Sequence, residues 1–214
     1  MLRRKLTVMS EWLPRALEES RARGFLGPGP VGPHIEHAQG FAQCWEERHE
    51  TPPESFLDLG SGGGLPALVL LARWNRNGLM TDSVLKRVRF LEEVLEWSNA
   101  PTGGAVVHGR IEEIARNPLF VEQFDLVTAR SFGPPSVTAE CGAQFLKIGG
   151  TLIVSEPPDD SETGRWDEAV LRSMGLTVVG RIRHGAAFQV LVKQSRTPSR
   201  LPRPVGVPRK RPLF

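Results

Sequence analysis

Apolar segments of two lengths alternate along the chain between residues 55 and 193. Short apolar runs such as "SFLDL", "GLMTD", "AVVHG" and "FDLVTAR" predict buried strands, and the longer apolar runs that separate them predict helices. Strands that alternate with helices predict an α/β fold with a doubly wound, mostly parallel sheet that helices cover on both faces. The last two runs, "LTVVGRIR" and "AAFQVLVK", predict an antiparallel hairpin at the end of that sheet.

The chain before this region has a different pattern and predicts N-terminal helices. We expect a helix over about residues 10 to 23, capped by Ser10, and a second helix over about residues 34 to 49. The stretch between them, "GFLGPGPVGPH", is too rich in glycine and proline for regular structure. We therefore divide the chain into a helical extension (1–50), an α/β domain (51–194) and a tail (195–214).

A run of glycines follows the first predicted strand, in the stretch "FLDLGSGGGLP". Glycines let the backbone approach a ligand closely, and the start of the next helix offers free N–H groups. Asp82 ends the second predicted strand, 22 residues after Gly60, where its carboxylate can accept both hydroxyls of a ribose. This pattern indicates a ligand that contains a nucleoside, and the alternative is a tight turn that binds nothing.

Two residues that flank the glycine hook, which we define as residues 60–64, separate the candidate cofactors. Leu65 occupies the position where the dinucleotide pattern G-x-G-x-x-G requires glycine, and the lysine of a P-loop is absent. Asp58 would repel a pyrophosphate, whereas it suits the amino acid end and the sulfonium of S-adenosylmethionine. The sequence thus favours S-adenosylmethionine, with contacts predicted at Asp58, Gly60, Ser61, Gly62 and Asp82.

Charge is distributed unevenly, and this changes the interpretation of the C-terminus. The net charge is +3, yet the last 22 residues contain seven Lys or Arg residues and no acid. Five prolines predict that the tail is extended, so a polyanion would meet it first. The alternatives are a solvated, disordered end and a tail that packs back on the domain through Leu213 and Phe214 and serves stability.

Cysteine content and hydropathy argue against several other classes of protein. Cys44 and Cys141 fit no metal or disulfide pattern, so we expect no metal site. Neither a signal peptide nor a membrane-spanning run is recognisable, and we expect a soluble cytoplasmic protein.

Four segments, "FLDLGSGGGLP", "TDSVLKRVRFL", "VVHGRIEEI" and "FDLVTAR", have the order and spacing of one family. They resemble the RsmG (GidB) rRNA methyltransferases, which are class I, Rossmann-like enzymes that use S-adenosylmethionine. The resemblance implies methylation of guanine N7 in small-subunit rRNA, either free or in the 30S particle, and we expect a monomer. It also implies cofactor contacts at Gly60, Leu65, Ile111, Glu112 and Arg130, with Ile111 and Glu112 beside the adenine.

Basic residues at the start of one predicted helix suggest where RNA binds. Lys86, Arg87 and Arg89 precede three glutamates, an order that the helix dipole disfavours by roughly 0.3–1 kcal/mol per charge. RNA phosphates would compensate for this, so we predict substrate contacts at Lys86, Arg87 and, at the mouth of the site, Arg130. The alternative is a solvated helix face on which Arg89 pairs with Glu93.

The sequence departs from the family at two places, and other functions stay open. The Asn-Leu-Thr stretch typical of members is missing before the first strand, and Ser155-Glu156 replace a common lysine. Guanine N7 carries no proton, so we expect no catalytic base. The alternatives are a class I methyltransferase for a small molecule or a protein, and an RNA-binding relative that has lost activity.

Overall fold

A computed structural model describes residues 12–97, 99–158 and 164–214 of the chain. Its centre is a seven-stranded sheet with the strand order β3-β2-β1-β4-β5-β7-β6. The strands are β1 (Ser55–Leu59), β2 (Asn77–Asp82), β3 (Gly104–His108), β4 (Phe124–Ala129), β5 (Leu146–Glu156), β6 (Leu176–His184) and β7 (Ala186–Lys193). Strands β1 to β5 are parallel, whereas β7 is antiparallel to both β5 and β6. The predicted sheet and its terminal hairpin are confirmed.

Helices follow most strands and cover both faces of the sheet. They are α1 (Trp12–Ala22), α2 (Gly32–Glu46), α3 (Ala67–Trp74), α4 (Leu85–Leu95), α5 (Ile111–Ile114), α6 (Pro135–Ala143), α7 (Glu168–Ser173) and α8 (Val207–Lys210). Both N-terminal helices are present, although Ser10, the predicted cap of α1, lies outside the described residues. No helix in the described part of the chain is long and apolar enough to span a membrane.

Side chains that alternate along the strands divide the core into two clusters, one on each face. On β1, Phe56 points to the cluster that α1, α2 and α3 cover, whereas Leu57 and Leu59 belong to the opposite cluster. Asp58 breaks this apolar strand and is almost completely buried. A carboxylate is costly to bury without a partner, so its position one residue from the strand end suggests a function rather than packing.

The strand order reverses at β1, because β2 lies on one side of it and β4 on the other. Ligands of doubly wound sheets bind outside the carboxyl ends of the strands at such a point. The glycine hook follows β1 there, and the chain segments after β2, β3 and β4 reach the same edge.

The C-terminal tail packs on the sheet domain and is not the extended segment that its composition predicts, whereas binding of a polyanion by its exposed cations stays a prediction. It contains the short helix α8, and several of its residues contact the sheet domain. Two of the seven cations serve the fold: the Lys193 ammonium is fully buried and donates to the Ala143 carbonyl at 2.8 Å, and Arg203 pairs with buried Glu140 at 2.7 Å. The predicted extended conformation was wrong because composition indicates charge and stiffness but not the docking of single residues.

Candidate functional site

The glycine hook is held in a left-handed conformation by its neighbours. Gly60 and Gly62 have backbone φ values of +64° and +56°, which residues other than glycine rarely adopt. The amide of Ser61 donates to the Thr81 carbonyl at 2.8 Å, and Ser20 of α1 donates through Oγ to the Gly63 carbonyl at 2.9 Å. The N-terminal helix α1 therefore supports the hook directly.

Asp82 at the end of β2 supports the hook from the other side. Its Oδ2 accepts from the Gly62 amide at 2.9 Å, and its Oδ1 accepts from the Val84 amide at 2.8 Å, just before α4. Arg87 Nη1 lies 3.7 Å from Oδ2. The sequence predicted that Asp82 binds a ribose. The structure adds that each of its two carboxylate oxygens already accepts a hydrogen bond from a backbone amide. A carboxylate offers about four acceptor sites, so capacity for two hydroxyls remains.

Asp58 lies beneath the hook, is 1% exposed and is not among the residues that line the cavities described below. Its Oδ1 accepts from Thr128 Oγ1 at 2.7 Å, and its Oδ2 has no partner. Burial raises the pKa of Asp58 to about 7, although the Thr128 hydrogen bond and the Arg130 charge oppose this. The hook thus stands over a buried acid whose charge a cationic ligand would stabilise.

A first cavity of about 240 Å³ opens between the ends of β2 and β3 and helix α5. Gly60, Asp82, Ile111 and Glu112 all line it, although they come from different segments of the chain. We call it the adenosine cavity because it joins the hook and Asp82 to the residue pair expected beside an adenine.

Glu112 has one oxygen in use and one without a partner. Oε1 accepts from the Gly206 amide at 2.9 Å and from Arg110 Nη2 at 3.2 Å, whereas Oε2 is buried and unpaired. Burial acts to raise the pKa of Glu112, but the hydrogen bonds from Gly206 and Arg110 outweigh it and hold that pKa below its ordinary value. Glu112 therefore presents an ionised carboxylate with one free acceptor, which matches an exocyclic amino group.

A second cavity of about 300 Å³ adjoins the first at Gly60. We call it the acceptor cavity because we expect the methyl acceptor to lie there. It is lined by Leu65, by residues 60–63 of the hook and by Leu26 from the glycine- and proline-rich loop 24–31. Arg130, directly after β4, also lines it. Both cavities together fall within the range of about 300–1,000 Å³ that is typical of ligand sites.

Arg130 contacts a histidine that sequence reasoning did not assign to the site. Its Nη2 donates to His34 Nδ1 at 2.9 Å, and its Nη1 is buried without a partner. Burial lowers the pKa of Arg130, and burial together with the Arg130 charge lowers the pKa of His34. His34 is therefore a neutral acceptor that orients the guanidinium, and one nitrogen of that guanidinium is left for a ligand.

The predicted RNA-binding residues of α4 take different positions. Arg87 lines both cavities, whereas Lys86 lies outside them, with its ammonium 5.6 Å from the centre of the Phe25 ring. Arg89 is exposed. Its expected partner Glu93 instead forms a bidentate ion pair with Arg23, at 2.8 and 3.0 Å. The alternative of an Arg89–Glu93 pair is thus wrong.

Sequence reasoning missed Ser131 and Phe132, which follow Arg130 and line the adenosine cavity. Ser131 has φ +53°, an uncommon conformation for a residue with a side chain. Phe132 packs so closely over Gly60 that an added Cβ there would lie 2.9 Å from its ring. No periodic pattern marks either residue, because both lie in an irregular segment after the strand.

Comparison with solved structures supports the fold alone, since sequence identity is low. The O-methyltransferase TomG from Streptomyces achromogenes, solved in complex with SAM, superposes with a TM-score of 0.60 at 14% identity over 86% of this chain and 90% of that one. The branched-chain polyamine synthase mutein from Thermus thermophilus superposes with a TM-score of 0.59 at 15% identity, over 86% of this chain and 65% of that one. The fold is therefore that of the class I methyltransferases.

Comparison with protein sequences is more specific. The family model described as GidB, rRNA small subunit methyltransferase G, matches residues 34–164. The protein named ribosomal RNA small subunit methyltransferase G from Leuconostoc mesenteroides is 32% identical over 79% of this chain and 73% of its own length. The one from Symbiobacterium thermophilum is 33% identical over 84% of this chain and 78% of its own length. With its glycine hook, Glu112 and Arg130 at one edge of the sheet, this chain belongs to the rRNA small subunit methyltransferase G family.

Proposed function

We propose that this chain methylates N7 of a guanine in small-subunit rRNA and uses S-adenosylmethionine, the cofactor of its family. The observation that carries the proposal is the pair of cavities that share Gly60, one with the unpaired Glu112 Oε2 and the other with the unpaired Arg130 Nη1. One suits an adenosine and the other suits a methyl acceptor that offers hydrogen-bond acceptors.

The residues present fit S-adenosylmethionine by two criteria. Gly60 and Gly62 form a cradle with no side chains, and two buried carboxylate oxygens, Asp58 Oδ2 and Glu112 Oε2, lack partners. We propose that Ser61 and Leu65 border the amino acid end of the cofactor and that the buried charge of Asp58 favours its cationic groups. In the adenosine cavity, Asp82 would accept from the ribose hydroxyls, Ile111 would pack on the adenine and Glu112 would accept from its amino group.

The chemistry requires orientation more than proton transfer. S-adenosylmethionine supplies an electrophilic methyl group on a sulfonium, and guanine N7 offers a lone pair with no proton to remove. Holding two reactants in a productive geometry can contribute roughly 7–11 kcal/mol. We propose that Arg130, oriented by His34 at 2.9 Å, contacts the guanine and the cofactor at their junction. The free Nη1 of Arg130 can donate to guanine O6, which leaves N7 available for the transfer.

The RNA backbone would approach from the side of α4. Arg87 lines the acceptor cavity, and Lys86 and Arg89 are exposed on the same helix. We propose that these side chains contact phosphates, which position a nucleic acid without reading its bases. We propose that the protein acts as a monomer on cytoplasmic rRNA, either free or in 30S particles.

Methyl transfer in vitro tests this function. We expect 7-methylguanosine after incubation with S-adenosylmethionine and unmethylated small-subunit rRNA, supplied free and as 30S particles. Large-subunit rRNA is the control for non-specific action on a polyanion, and it should gain no 7-methylguanosine. Nucleoside mass spectrometry of the digested RNA provides the measurement. A methyl group on another nucleoside, or on protein or small molecules in place of RNA, would contradict the proposal.

A further inference from the structure

The C-terminal residues 201–214, which we call the strap, are anchored on the sheet domain. The main anchor is a buried ion pair: Arg203 Nη2 and Nε donate to Glu140, at 2.7 Å for Nη2, and the Arg203 amide adds a 2.7 Å hydrogen bond. Glu140 lies on α6 and is 0% exposed. Such a carboxylate depends on its partner, because a buried charge that loses its partner is strongly destabilising.

Further contacts fix both ends of the strap. Arg116 donates to the Pro202 carbonyl at 2.9 Å, and Leu201 is 4% exposed. At the other end, the Leu213 amide donates to Ser136 Oγ at 2.8 Å, and Phe214 packs against the core. The strap therefore has a defined position across the domain rather than a loose one.

The middle of the strap reaches the adenosine cavity. The Gly206 amide donates to Glu112 Oε1 at 2.9 Å, in a left-handed turn with φ +76°. Three residues later, Arg209 of α8 lines the same cavity. Because Gly206 occupies Oε1, the unpaired Oε2 is the oxygen of Glu112 that remains for a ligand.

We infer that the strap is part of the adenine-recognition site: Gly206 orients the Glu112 carboxylate, and Arg203 is the positioning residue that holds Gly206 in place. The inference rests on the proposed function, because it takes Glu112 as the acceptor for the adenine amino group. Docking of the strap and binding of the adenosine moiety then reinforce each other, since each stabilises the same orientation of Glu112.

A strap that served folding alone would make a different prediction. Its loss would weaken the whole domain and would affect all nucleoside ligands alike. A change in the orientation of Glu112 would instead affect a single hydrogen bond, from the adenine amino group to the carboxylate oxygen. The appropriate probe is therefore a ligand that differs at that group only.

The test compares S-adenosylhomocysteine with S-inosylhomocysteine, in which a carbonyl oxygen replaces the adenine amino group. The natural protein should bind S-adenosylhomocysteine more tightly, because a carboxylate accepts from an amino group and repels a carbonyl. In Arg203→Ala we expect the ratio of the two dissociation constants, measured by calorimetry, to fall by about tenfold. Arg200→Ala removes the same charge from an exposed position and should leave the ratio unchanged.

Glu112→Gln provides the reference ratio for a site without the carboxylate. If Arg203→Ala weakens both ligands equally and keeps the ratio, the strap is merely structural and the inference is overturned. If the natural protein binds neither ligand, the proposed function fails and the inference fails with it.

A second measurement covers the case in which Arg203→Ala does not fold. Trypsin can cleave the unaltered full-length chain after Arg209 and Lys210, and S-adenosylhomocysteine should slow this cleavage several-fold if docking and binding are coupled. S-inosylhomocysteine at the same concentration should protect less. Equal cleavage with and without S-adenosylhomocysteine at a saturating concentration would overturn the coupling.

Discussion

Gly60→Val should lower the affinity for S-adenosylhomocysteine by at least about 100-fold, which is about 2.7 kcal/mol. Two effects add at this position. Gly60 has φ +64°, where an ordinary residue is strained by roughly 1–2 kcal/mol. Its new Cβ would also lie 2.9 Å from the Phe132 ring, which must move within the adenosine cavity. Calorimetry at a fixed temperature measures the loss.

Gly149→Val is the matched control for this substitution. Gly149 also has a left-handed backbone, with φ +87°, but no atom lies within 4 Å of an added Cβ. It should lose stability from strain and keep its cofactor affinity. If both variants bind S-adenosylhomocysteine as tightly as the natural protein, the hook does not hold the cofactor.

Cofactor affinity should rise by about tenfold or more between about pH 5.5 and pH 7.5, because the charge of Asp58 increases over that range. Burial raises the pKa of Asp58 to about 7, so the acid is mostly neutral at the lower pH. The amino group of the ligand stays mostly protonated below about pH 7.7. Calorimetric titrations of S-adenosylhomocysteine across this range provide the measurement.

Asp58→Asn separates this effect from the titration of other groups. The amide can still accept from Thr128 through Oδ1, but it cannot ionise. We expect the affinity of this variant to be low and nearly independent of pH. An unchanged pH dependence would assign the titration to another group, such as His34 beside Arg130.

The titration of Asp58 should also affect folding stability, which falls with rising pH whereas cofactor affinity rises. The folded-state pKa of Asp58 lies above its unfolded value, so the folded protein binds more protons, and stability is lost as pH rises from about 4 to about 7. Without cofactor, Asp58→Asn should therefore unfold at a higher temperature than the natural protein at pH 8, and the difference should shrink at lower pH. The acid thus favours ligand binding at the expense of stability.

Local patterns were sufficient to predict the strands and the hook. Strand β1 has the predicted bounds, because an apolar run that ends at glycine leaves little freedom of register. The placement of Asp82 and Glu112 at one cavity follows from the rule that parallel strands present their carboxyl ends at the same edge. These positions depend on topology, which the alternation of strands and helices determines.

Contacts between distant segments were beyond sequence patterns. Arg203 and Glu140 are 63 residues apart, and neither belongs to a periodic motif that would pair them. The contact of His34 with Arg130 joins a helix before the domain to a strand end 96 residues later. Composition marked the tail as basic, but charge alone does not distinguish a cation that binds RNA from one that pairs with a buried acid.

The most direct test of the central claim is mass spectrometry of nuclease fragments of small-subunit rRNA from cells with and without the gene. We expect 7-methylguanosine at one position in cells with the gene and its absence from that position in cells without it. Returning the natural gene should restore the modification, and returning the Gly60→Val form should not. Unchanged 7-methylguanosine in the small-subunit rRNA of cells without the gene would contradict the assignment of this chain as its methyltransferase.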